Sequence, residues 1–155
     1  MGDLLPLSDE MKPLEPIKNM EFEVNASVKI EEKEGKLRFC LSSNIPEETP
    51  LIFTLHGKNY SAQCKINAGK TETISEWFSD KCNPINIGFY TIEITCPIFD
   101  VLPSEVKQIF GEKNRNLIGR YVKYDPICGN TICISYGIMY DGKSVNLIDM
   151  QQNIS

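Results

Sequence analysis

Histidine is almost missing from this chain: His56 is the single one among 155 residues. That excludes the His-Glu-x-x-His metallohydrolase motif and Cys₂His₂ fingers, each of which needs two imidazoles. Any histidine-dependent triad has only His56 as its base. It precedes Gly57 at a turn between two alternating runs, where a solvated imidazole is the expectation. Tryptophan is equally scarce, and Trp77 is read as a core residue rather than a platform for carbohydrate or peptide. Basic charge is not in excess either: 16 Lys+Arg against 21 Asp+Glu leave a net −5, so no nucleic-acid partner is expected. No apolar run approaches the ~18–20 residues of a membrane span. Met1–Glu10 has neither a basic n-region nor an apolar h-region. Gly2 lacks the Ser or Thr at position 6 that myristoylation favours, where Pro6 stands. Met1-Gly2 reads as a start placed before a mature or truncated chain. Gly-Lys pairs at 57–58, 69–70 and 142–143 lie in turns, without the remainder of a phosphate-binding loop.

What is present suits one domain with a packed core: 41% of residues are hydrophobic and 24% charged. From residue 20 the dominant period is two, the mark of half-buried strands. Phe22, Val24, Ala26, Val28 and Ile30 alternate with polar residues, Glu34-Gly35 turns the chain, and Leu37, Phe39 and Leu41 return as a hairpin. A loop at 43–50 precedes Leu51, Phe53 and Leu55, then Tyr60, Ala62, Cys64 and Ile66. Residues 71–78 read as a strand and 79–88 as a polar loop. Tyr90, Ile92, Ile94 and Cys96 alternate up to Pro97. The period changes once: Leu102, Val106, Ile109 and Phe110 share a helical face, with Pro103 at its start and Gly111 past its end. After a loop at 111–120, Ile132, Ile134, Tyr136, Ile138 and Tyr140 resume alternation. Asp141-Gly142 then predicts a hairpin to 144–148.

The expectation is therefore an all-β, antiparallel β-sandwich of seven or eight strands with one short helical insert. A flexible N-terminal arm (1–19) precedes the 20–148 domain, and a tail (149–155) follows. Short connections argue against parallel βαβ units.

Six cysteines permit 15 pairings if all are bridged, and each also packs well as a free thiol. Cys128 and Cys133 flank Gly129-Asn130 and are a candidate bridge. Cys64 and Cys96 fall on the core-facing series and are a candidate contact, bonded or packed, whereas Cys40 and Cys133 fall on the opposite one. The Cys-x-x-Cys spacing of structural zinc sites is absent, and no cofactor is expected. Lys113, Arg115 and Arg120, within a locally basic stretch at 105–124, are a candidate binding loop, although such charges more often solvate a loop. Asn-x-Ser triplets start at Asn25, Asn59 and Asn153.

Glu76-Trp77-Phe78-Ser79-Asp80-Lys81 followed by Ile87-Gly88-Phe89-Tyr90-Thr91-Ile92-Glu93-Ile94 resembles immunoglobulin-like bacterial modules, in which a turn glycine precedes Tyr and an alternating strand. Leu41-Ser42-Ser43-Asn44-Ile45-Pro46 up to Leu51-Ile52-Phe53 is similar to their strand–loop–strand stretch. Residues 102–122 resemble an insert of uncharacterised exported or surface-attached bacterial domains. Cys82 departs from the pattern, standing where such modules often have glycine. The resemblance implies a non-catalytic, immunoglobulin-like binding or interaction module, secreted or at the cell surface, with a protein or glycan partner. The alternatives are a structural spacer of a larger envelope protein and a thiol-dependent metal-binding or redox protein.

Overall fold

In the computed structural model, which describes residues 12–149, the alternating runs become strands that pair as the hydrophobic period dictates. The strands are β1 (Phe22–Glu23), β2 (Ala26–Lys33), β3 (Lys36–Ser43), β4 (Pro50–Gly57), β5 (Tyr60–Asn67), β6 (Glu72–Ile74), β7 (Gly88–Thr95), β8 (Leu117–Ile118), β9 (Val122–Asp125), β10 (Gly129–Tyr140) and β11 (Val145–Asp149). One helix, α1 (Ser104–Phe110), lies between short 3₁₀ turns. The fold is thus mostly β, with antiparallel sheets and one short helix.

The larger sheet runs β11-β10-β7-β4-β5, with β9 also paired to β10; the smaller runs β2-β3-β6. All of these pairings are antiparallel. Leu37, Phe39 and Leu41 of the smaller sheet and Phe53, Leu55, Ile92, Ile94, Ile134 and Ile138 of the larger join one buried cluster. Burying each such side chain stabilises the fold by roughly 1.5–3 kcal/mol relative to exposure. The β2–β3 turn has both central residues left-handed, Glu34 at φ 54° and Gly35 at φ 81°. This primed geometry matches the twist of paired strands.

The structure departs from the sequence reading in several places. The run Phe22–Ile30 is not one strand. It breaks at Val24-Asn25, where Asn44 Nδ2 donates to Glu23 O at 2.8 Å and Asn25 N donates to Asn44 Oδ1 at 2.8 Å. The part before the break, β1, pairs in parallel with β8. Among the described residues, eleven strand segments replace seven or eight; the surplus is the short β1, β8 and β9. Residues 71–78 hold only a three-residue strand, after which Leu37 and Phe78 form an isolated bridge. Trp77 is half-buried rather than in the core. The guanidinium of Arg38 lies 4.5 Å from its ring centre, while its neighbour Phe78 is the buried one. On α1, Val106 and Phe110 are buried as the period requires, but Ile109 is exposed.

Of the expected arm, residues 1–11 lie outside the described residues, as do 150–155 of the tail. Residues 14–24, by contrast, dock along the insert. Among the described residues no helix is long and apolar enough to cross a membrane.

Candidate functional site

A cleft of about 680 Å³ opens at one end of the larger sheet, where the β4–β5 turn meets the approach to β7. The end of β4 contributes His56 and the turn Lys58 and Asn59, and the other wall holds Asp80, Ile87 and Phe89. Two tyrosines stiffen its base. Tyr60 and Tyr90 meet edge to face with ring centres 5.9 Å apart, a favoured aromatic geometry. Tyr60 donates its hydroxyl to Ser79 O at 2.8 Å, and Tyr90 donates to Asn86 O at 2.6 Å. Both phenols titrate above their ordinary range, chiefly because burial disfavours the phenolate. They therefore stay neutral, with their protons committed to main-chain carbonyls. Gly57 fits because a Cβ there would stand 2.4 Å from the Tyr90 ring.

The mouth sets exposed apolar side chains among polar ones. Ile87 is 70% and Phe89 49% exposed, and Phe89 lies beside Met139 of β10 in register, itself 45% exposed. Asp80 and Lys58 supply one charge of each sign at the rim. Polar and exposed apolar groups side by side over a base held by Tyr60 and Tyr90 suit recognition of a ligand.

His56 is no isolated turn residue. Its Nε2 lies 3.4 Å from Glu93 Oε1 and its Nδ1 lies 3.4 Å from Ser61 Oγ. The order of groups is that of a nucleophile, base and acid, but both separations exceed ordinary hydrogen-bond lengths. The His56 and Glu93 side chains are 48% and 40% exposed on the outer face of the sheet. Water competes for each contact there, so the trio is a solvated cross-strand cluster.

The cysteines anticipated as pairs are not brought together. All six are free thiols. Cys64 on β5 and Cys96 just after β7 have β4 between their strands. Two interstrand spacings, about 10 Å, exceed the reach of a disulfide. Cys128 sits in the turn before β10, and the extended chain from Gly129 to Cys133 alone spans roughly 13 Å. The parity reading does hold: Cys64 is buried against the core and Cys96 packs on it. Burial pushes the Cys96 thiol up to about 12. Cys64 is raised too, first by burial, although the Glu76 amide donates to its Sγ at 3.5 Å.

Lys113, Arg115 and Arg120 are all exposed, yet they do not converge as one anion site. Arg115 Nε donates to Glu15 O at 2.9 Å, Arg120 lies over the Tyr121 ring at 5.1 Å, and Lys113 is left-handed at φ 54°, with its carbonyl close to Gly129. Within the same loop Asn114, Asn116 and Leu117 are buried, so its centre is structural. The exposed apolar side chains at the cleft's mouth escaped sequence reasoning, which took 79–88 as a polar loop. Its available signal was Phe89, an aromatic on the outward series of a strand whose inward series is Tyr90, Ile92 and Ile94.

Comparison with protein families, curated proteins and solved structures finds no match.

Proposed function

We propose that this chain is a non-catalytic binding module built as an immunoglobulin-like sandwich, which holds a protein or glycan ligand in the cleft beside Phe89. The observation that carries this reading is the cleft itself. Its floor is fixed by two tyrosines bonded to main chain, while Ile87 and Phe89 stand open at its mouth. A rigid floor lowers the entropy lost on binding, and an exposed aromatic suits either the apolar face of a sugar or a protein side chain.

Two features support the immunoglobulin-like assignment. In that fold's lettering β2, β3 and β6 correspond to A, B and E, and β5, β4, β7 and β10 to C′, C, F and G. Tyr90 stands near the start of the F-equivalent strand and bonds back four residues to Asn86, the arrangement of a tyrosine corner. The segment 96–128 then replaces the F–G loop, and β11 extends the sheet beyond G. A place at or outside the bacterial cell surface is supported by the motifs around Trp77–Ile94 and by the frequency of such sandwiches among surface domains.

The test is binding of the chain to immobilised glycans and to extracellular proteins, alongside Phe89→Ala and Ile87→Ser. The reading expects a ligand whose affinity falls at least about tenfold in Phe89→Ala, the loss typical of an aromatic anchor. Ligands that bind both variants unchanged would overturn the assignment of the cleft.

A further inference from the structure

Far from the cleft, the insert grips residues 14–24 largely by their backbone, on both sides of a turn in which Met20 N donates to Ile17 O at 2.9 Å and Asn19 is left-handed at φ 66°. Asn130, fully buried, accepts the Leu14 amide on Oδ1 at 2.6 Å and donates from Nδ2 to Leu14 O at 3.1 Å. Asn116, also fully buried, accepts the Ile17 amide at 2.8 Å. Arg115 Nε donates to Glu15 O at 2.9 Å. Further along, Phe22 N donates to Asn116 O at 2.7 Å and Val24 N to Ile118 O at 3.1 Å. Two apolar anchors complete the contact: the Phe22 and Phe110 ring centres are 5.9 Å apart, and Val24 is 2% exposed.

Burying two amide side chains is costly unless their polar atoms are paired. Here Asn116 Oδ1 and Asn130 Oδ1 are paired with the amides of residues 14 and 17, about a hundred positions away in the chain. The insert thus carries acceptors and donors that meet the main chain of residues 14, 15, 17, 22 and 24, with the Phe110 ring set against an aromatic side chain. At Phe22-Glu23, paired with β8, recognition of this kind is strand addition, in which main-chain bonds give affinity and side chains give specificity.

We propose that this groove is a binding site for a peptide segment, filled in cis by residues 14–24 and open to the same segment of a second copy. The connection between β1 and β2 is two residues long, Val24-Asn25, and is held by the exposed Asn44. Releasing that clamp redirects the segment without disturbing either sheet. Exchange of an identical element between copies reuses every contact made in cis.

The test uses a labelled peptide of residues 12–24. In the full chain carrying L14P/I17P, the strap loses two amide donors while the groove residues are untouched. The peptide is expected to bind this variant at least about tenfold more tightly than the unaltered chain, whose tethered segment competes at roughly millimolar effective concentration. A peptide carrying the same two prolines is expected to bind at least tenfold more weakly. Absence of saturable binding, or equal binding of both peptides, overturns the proposal. Should L14P/I17P not fold, the unaltered chain decides: millimolar peptide must shift the side-chain amide resonances of Asn116 and Asn130, and unmoved resonances refute the site.

Discussion

The hydroxyl of Tyr90 donates to the carbonyl of Asn86, 2.6 Å away, and so ties the start of β7 to the loop that forms one wall of the cleft. Because the ring is buried, the bond couples the loop's position to the core. Tyr90→Phe keeps the packing and removes the bond. It is expected to destabilise the fold by about 1–2 kcal/mol, with the Asn86 carbonyl left short of a partner. Urea unfolding checks this through a lower midpoint at unchanged slope; an unchanged midpoint would mean the bond is not formed in solution.

Two glycines separate conformational strain from crowding. Gly35 is at φ 81°, and a Cβ there would stand 2.3 Å from Cβ of Pro84; Gly88 is at φ 152° with nothing within 4 Å. Gly35→Ala meets both penalties and is expected to cost about 2 kcal/mol or more, whereas Gly88→Ala meets only backbone strain of about 1 kcal/mol. Thermal melts of the two variants give the ranking, and a larger loss for Gly88→Ala would contradict the turn geometry.

The thiols yield a prediction in pH. Burial raises Cys96 from an ordinary 9.0 to about 12, so the folded protein holds that proton more tightly than the unfolded chain does. Its stabilising contribution is complete below pH 9.0, shrinks as the unfolded thiol ionises, and is gone above about 12. Stability measured across this range should fall more steeply in the unaltered chain than in Cys96→Ala; parallel curves would contradict the burial of that sulfur. With a thiol reagent near pH 8, the exposed Cys82 should react first and Cys64 and Cys96, which pack on the core, last, and all six should react on unfolding.

The period-two runs were sufficient to anticipate the central strands, because one buried face per strand fixes which residues point inward. Phe39, Phe53, Ile92 and Ile134 are all in the core. Legibility failed where tertiary hydrogen bonds overrule local pattern. Asn44 breaks the run 22–30, and Arg38 draws Trp77 to the surface. Asn116 and Asn130 look like ordinary polar residues until partners about a hundred positions distant are in place, and Asn114 until Asn130, 16 positions on, accepts from its side chain. The cleft was hidden for a related reason. Its walls come from segments 20 or more residues apart, and no period in the sequence reports which two loops share an end of a sheet.

Amide chemical-shift mapping with a bound glycan or protein ligand puts the binding role to its most direct trial. The largest shifts should fall at Lys58, Asn59, Ile87, Gly88 and Phe89, with β2, β3 and β6 unmoved. Saturable binding whose shifts cluster on β2 and β6, leaving the β4–β5 turn and the approach to β7 undisturbed, would contradict it.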